Sequence, residues 1–190
     1  MHRIRDIIRY MGDDPSREGL IETPMRVTKM WDEMFKGYNA NKKPVITTFN
    51  NGKDGITYDQ MICDTGIFYS HCEHHMVPFF GKYWFAYVPS SKGKLLGLSK
   101  VARVVDYESA RLQVQERLTQ DIISTLFKAL IEGTNEVPLG LGIVLEAEHL
   151  CKTMRGVKKP GKMRTAQLMG TFKTDASARE EFLDWVNSCR

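Results

Sequence analysis

The chain has 190 residues, of which 42% are hydrophobic and 26% charged, values that exclude a disordered or fibrous protein. That length suits one domain with a sizeable core and a small helical appendage, divided here as residues 1–40 and 41–190, and excludes two full domains. No apolar run approaches membrane-spanning length, and the first residues alternate charged and apolar side chains instead of building a signal-peptide core, so the sequence predicts a cytoplasmic protein with no membrane partner.

In chain order, Asp14-Pro15-Ser16 reads as a turn into a helical start, and Thr23 is placed to cap a second helix with Pro24 in its first turn. Val27, Met30, Trp31, Met34 and Phe35 recur there at the spacing of a buried stripe, which Gly37 ends. Residues 39–55 read as a loop with one short strand near Val45 to Phe49. Strands follow over Met61 to Tyr69 and Gly81 to Val88, and Pro89 with the turn after it closes the hairpin. Gly81 to Val88 is apolar on both faces, which predicts a packed layer on one side and a neighbouring subunit on the other.

Ser99 is placed to cap a helix through Val101, Ala102, Val104 and Val105, with Lys100 and Arg103 on its charged face. A longer helix from Val114 to Glu132 puts Leu118, Ile122, Leu126 and Leu130 on one stripe. Leu141 to Ala147 and Met163 to Phe172 read as strands, and Asp175 to Asn187 as a closing helix with Ala178, Phe182, Trp185 and Val186 inward. The expected fold class is α+β, with four strands, two central helices and helical ends.

The chemistry concentrates in Tyr69 to Phe80, where His71, Cys72, Glu73, His74 and His75 are consecutive. Cys72 and His75 offer a thiolate and an imidazole from one loop, and Cys151, beside His149, supplies a third donor from elsewhere in the chain. Three protein ligands leave one tetrahedral corner of a Zn²⁺ ion open, the arrangement of a catalytic site that activates water. A closed site that adds His74 or Cys63 is the alternative. His74 and His149, adjacent to presumed ligands, suit proton transfer near neutral pH. His71 and His2 read as incidental, and Cys63 and Cys189 as packing residues.

Two further features are open to more than one reading. Lys152 to Arg164 contains six basic and no acidic residues, which suits either a polyanion or a solvated loop. Glu116, flanked by Gln115 at a helix start, can accept two parallel hydrogen bonds, as guanine's pairing edge offers them, or can simply face solvent.

Taken together, EGLIETPMRV at 18–27, CEHHMVPFFGK at 72–82, LGLSKVARVV at 96–105, RLQVQERLT at 111–119, HLCKTMRGV at 149–157 and REEFL at 179–183 resemble GTP cyclohydrolase I, a zinc enzyme family of pterin synthesis. The resemblance implies that Cys72, His75 and Cys151 hold zinc, and that His74 and His149 move protons. It implies that Glu116 with Gln115 anchors guanine, and that Ser99, Lys100, Arg103 and Arg155 address the ribose and triphosphate, with Ser99 counted among the catalytic residues. The implied reaction opens GTP at C8, releases formate and recloses the rearranged ribose into 7,8-dihydroneopterin triphosphate, the entry to folate, biopterin or deazapurine synthesis. The implied fold is the tunnelling fold, a four-stranded antiparallel sheet with two helices on one face. In that fold five copies form a toroid, two toroids stack into a homodecamer, and the active sites lie at subunit boundaries.

The chain departs from the family pattern at residues 162–167, which lack a Ser/Thr-rich run, at His71, and in a longer link at 133–140. It begins close to the Thr23-Pro24 helix, without the extension of animal members, so their regulation by a partner protein is not expected. The rival readings are another tunnelling-fold purine or pterin enzyme with a cysteine nucleophile, and a zinc-stabilised nucleic-acid module. The second is disfavoured by the mild net charge of +4 and by the lack of a second paired-ligand knuckle.

Overall fold

The computed structural model describes residues 2–189 and has α+β architecture. Helices α1 (His2–Tyr10) and α2 (Thr23–Met34) precede strand β1 (Thr48–Asn50), and the long hairpin β2 (Ile62–Cys72) and β3 (Pro78–Val88) follows. Next come β4 (Lys94–Leu96), α3 (Lys100–Ser109), β5 (Leu112–Gln113) and α4 (Gln115–Ile131). The chain closes with β6 (Gly140–His149), α5 (Leu150–Thr153), β7 (Lys162–Gly170), α6 (Thr171–Thr174) and α7 (Ala176–Ser188).

Strands β2, β3, β6 and β7 form the expected four-stranded antiparallel sheet. Two-residue β5 joins its edge in parallel to β2, while β1 and β4 pair in a separate ribbon. The segment after Pro89 therefore does not extend the main hairpin; β4 turns away to meet β1.

One sheet face is covered by α3 and α4. Their apolar stripes, Val101, Val104 and Val105 on one and Leu118, Ile122, Leu126 and Leu130 on the other, pack with Phe68, Phe79, Phe85 and Ile143 into the main core. The period of 3.6 in α4 and of 2 in the strands directs all of these residues to one layer.

The opposite face corrects an expectation. Trp84 and Ala86, on the second side of β3, are buried by this chain's own carboxy-terminal elements, through Phe172, Phe182 and Val186, and not by a neighbour. Asp175 caps α7 by accepting from the Ala178 amide at 2.9 Å, which starts the helix where it can lie across the sheet. Further along this face Ile67 and Tyr69 remain exposed.

Three local expectations also change. The first helix is His2–Tyr10, with Ile4 and Ile8 buried, and residues 13–22 form turns. The α2 stripe is only half-buried, with Met30 and Met34 exposed, because α2 has no sheet beneath it. Neither Thr23 nor Ser99 caps a helix through its side chain: Thr23 lies inside α2, and the Ser99 hydroxyl makes no capping bond.

Candidate metal centre

Two strand pairings assemble the centre from three distant segments. β5 sets Gln113 beside Cys72, which brings the start of α4 to the Cys/His loop. β6 sets His149 opposite Phe79, which brings Cys151, the second residue of α5, to the same place. The loop itself is a single tight turn: the Cys72 carbonyl accepts from the His75 amide at 3.3 Å and the Met76 amide at 2.8 Å. Met76 takes the left-handed conformation at φ 55°, and the Cys72 amide donates to the Val77 carbonyl at 2.9 Å to close the reversal. Such a turn puts residues i and i+3 on one side, and these are Cys72 and His75.

The donor atoms of Cys72, His75 and Cys151 all lie within 4.8 Å of one another. Burial and the adjoining Cys72 thiol push the Cys151 thiol up, because two sulfurs in contact resist ionising together unless a cation sits between them. The cluster is thus compatible with a metal ion, and two thiols with one imidazole favour a soft or borderline one. Cys63 stands nine residues back along β2, roughly 30 Å away at the rise of a strand, and cannot join. His74 stands beside the cluster, Nδ1 3.5 Å from the Cys72 sulfur, but does not complete the triad's mutual contacts.

His149 ends β6 two residues before Cys151, with its ring stacked on Phe79, centroids 4.5 Å apart and planes within 3°. Burial holds its pKa below the ordinary value, with Lys152 acting in the same direction and Glu116 opposing both. Glu116 is exposed at the start of α4, within electrostatic reach of that ring. Arg155 reaches back from the basic loop to place Nη1 2.8 Å from His75 Nε2. Gln115 is placed differently: its side chain is buried and bonded to His149 and to the strands, so it does not line an open site.

Ser99, Lys100 and Arg103 are not brought to this cluster. Gly97, Leu98 and Val101 line a cavity with Ile62, Cys63 and Asp64 at the start of β2, whereas Cys72 ends that strand. Eight residues of strand separate Asp64 from Cys72, roughly 26 Å, so the turn that leads into α3 sits well back along β2 from the metal cluster.

Several supporting residues escaped the sequence reading. Arg117 pairs with Glu73 of the metal loop and donates to Gln113 Oε1 at 2.9 Å, while the Glu73 amide donates to the Gln113 carbonyl at 3.0 Å. Gln113 in turn donates to Asp121 at 3.1 Å, and buried Glu108 pairs with Arg111 at 2.6 Å. The four-residue spacing of Gln113 and Arg117, across the junction of β5 and α4, was the only visible signal of this brace. His71 is buried against Phe35, ring centroids 5.0 Å apart, and burial lowers its pKa, in keeping with a packing role. In the atypical 162–167 segment, Lys162 and Arg164 both pair with Glu146, and Thr165 bonds inward to Thr119.

A family model described as GTP cyclohydrolase I matches residues 1–187. A GTP cyclohydrolase 1 from Caldanaerobacter subterraneus is 48% identical over 189 residues, covering 98% of this chain and 95% of that protein. One from Thermoanaerobacter pseudethanolicus is 46% identical over 187 residues, covering 97% and 94%. One from Bacillus subtilis is 44% identical over 185 residues, covering 96% and 92%.

Proposed function

The chain belongs to the GTP cyclohydrolase I family and is an enzyme of that family, and we propose that it opens GTP at C8 with a zinc ion held by Cys72, His75 and Cys151. The observation behind this reading is the convergence of those three donors beside His74, with His149 two residues before Cys151. Bound there, zinc would supply Lewis-acid activation of water near neutral pH. Two waters enter as the imidazole ring opens and formate departs, and one is returned when the rearranged ribose closes onto the amine to give 7,8-dihydroneopterin triphosphate. His74 and His149 deliver protons to the nitrogens whose bonds to C8 break. Glu116 accepts from the ring N–H and exocyclic amine of guanine, which orients C8 toward the cluster.

Ser99, Lys100 and Arg103 serve the ribose and triphosphate end, together with Arg155. Their place at the end of α3 remote from the Cys/His loop supports a site shared between subunits, each copy lending its α3 start to the neighbour's metal half. The exposed Met25, Met30 and Met34 of α2 and the exposed Ile67 and Tyr69 of the sheet provide apolar surface for such an assembly. A homodecamer of two stacked pentamers is the form this reading adopts, and the cytoplasm is its setting; among the described residues no helix is long and apolar enough to cross a membrane. The test is a zinc-to-protein ratio near one in the native oligomer that falls toward zero in Cys151→Ala; a variant with full zinc would reject Cys151 as a ligand.

A further inference from the structure

We propose that Gln115 is a positioning residue for His149, fixing its tautomer and orientation, and is not a contact to the guanine base. The inference rests on the reading of His149 as a proton-transfer group, and starts from the amide itself. Gln115 is the first residue of α4 and is 1% exposed. One end of its side chain faces the Leu145 carbonyl, the Met163 carbonyl and Thr165 Oγ1, each at 3.1 Å. Carbonyl oxygens only accept, so that end must be the NH₂ group and the other end the oxygen.

That oxygen lies 2.9 Å from His149 Nε2. An amide oxygen can only accept, so Nε2 must carry the ring proton. Nδ1 makes no hydrogen bond among the described residues, and it is therefore the nitrogen through which His149 exchanges protons. Phe79, parallel to the imidazole at 4.5 Å, limits rotation of the ring.

The amide is itself held by a closed cycle, its two N–H hydrogens shared among the three acceptors. Thr119 Oγ1 donates to the main-chain carbonyl of Gln115 at 2.7 Å, which obliges Thr165 to donate to Thr119 across 2.7 Å. Thr165 then accepts from the Gln115 amide at 3.1 Å, completing the ring. Turning Gln115 outward toward a base would break these bonds and strip His149 of its acceptor. The cycle joins β7 to α4, so the strand register of the sheet sets the tautomer of a residue in the centre.

Zinc-loaded wild type, Gln115→Met and Gln115→Glu decide the matter through steady-state kinetics and ¹⁵N imidazole spectra of histidine-labelled oligomer. Gln115→Met keeps the shape and removes the acceptor; kcat falls roughly 10- to 100-fold while KM for GTP and zinc content hold. Its His149 signal shows loss of the single Nε2–H form. The carboxyl of Gln115→Glu, neutral at so buried a position, keeps an acceptor toward His149 and a donor toward the strands, so it retains that form and recovers kcat above Gln115→Met. A raised KM with unchanged kcat in Gln115→Met would overturn the proposal in favour of a guanine contact. So would an unaltered Nε2–H signal in Gln115→Met, or a bare Nε2 in Gln115→Glu, which decides alone if Gln115→Met fails to fold. If the wild type proves inactive on GTP, the proposed function fails, and the spectra still decide whether Gln115 holds His149.

Discussion

Ser70 Oγ donates to the Ser109 carbonyl at 2.8 Å, and this buried bond fixes the direction of α3 along β2. The helix ends beside Ser70, close to the Cys/His loop, so it runs back along the strand and its start at Lys100 is its end remote from that loop. Two inactive proteins should therefore complement one another. Cys151→Ala lacks the metal half and Lys100→Ala/Arg103→Ala lacks the phosphate half; co-expressed, they should form mixed oligomers with some intact composite sites. Activity in the mixed oligomer that neither parent shows is the expected result, and inactivity of well-mixed oligomers would place both halves in one chain's site.

Glu116 is predicted to hold guanine by two charge-assisted hydrogen bonds, each worth about 1.5–3 kcal/mol. Glu116→Ala should raise KM for GTP by roughly tenfold to a hundredfold. Glu116→Gln, with one acceptor in place of two, should fall between. An unchanged GTP affinity on titration calorimetry would leave this carboxylate as a solvated helical residue.

The four cysteines should separate into classes on thiol titration before and after chelation. Burial pushes the Cys63 thiol up to about 11, with the nearby Cys189 adding to the effect, so at pH 8 only roughly one in a thousand is thiolate and its alkylation is slow. Cys72 and Cys151 should be protected in the zinc-loaded protein and become reactive together once a chelator strips the metal. Independent exposure of the two would contradict a shared ion.

Phe182 is wholly buried against Phe172, with ring centroids 5.2 Å apart, in the small core that covers Trp84. Phe182→Ala should cost about 3–5 kcal/mol in urea denaturation and shift Trp84 fluorescence toward that of a solvated indole. A loss below about 1 kcal/mol would mean that another subunit, not α7, covers this face.

Much of this architecture was legible in the residues. The α4 stripe from Leu118 to Leu130 has one burial solution, and it appears as expected. The partner of the second β3 face was not legible, because the pattern shows that Trp84 and Ala86 must be covered but does not say by what. Helix α1 escaped notice since nine residues carry barely two repeats of Ile4 and Ile8. At the site, Cys72, His75 and Cys151 stood out because thiols and imidazoles seldom cluster without a chemical reason. The orientation of Gln115 could not be read in the same way. It depends on the register of β7, which sets Thr165 opposite Leu145, and register is a property of the folded sheet.

GTP turnover by metal-replete protein, followed as formate and as fluorescent oxidised pterin, tests the central claim most directly. The account predicts one formate for each pterin formed, loss of both on chelation and their recovery with added Zn²⁺. Protein that holds zinc at Cys72, His75 and Cys151 yet releases no formate from GTP would contradict it.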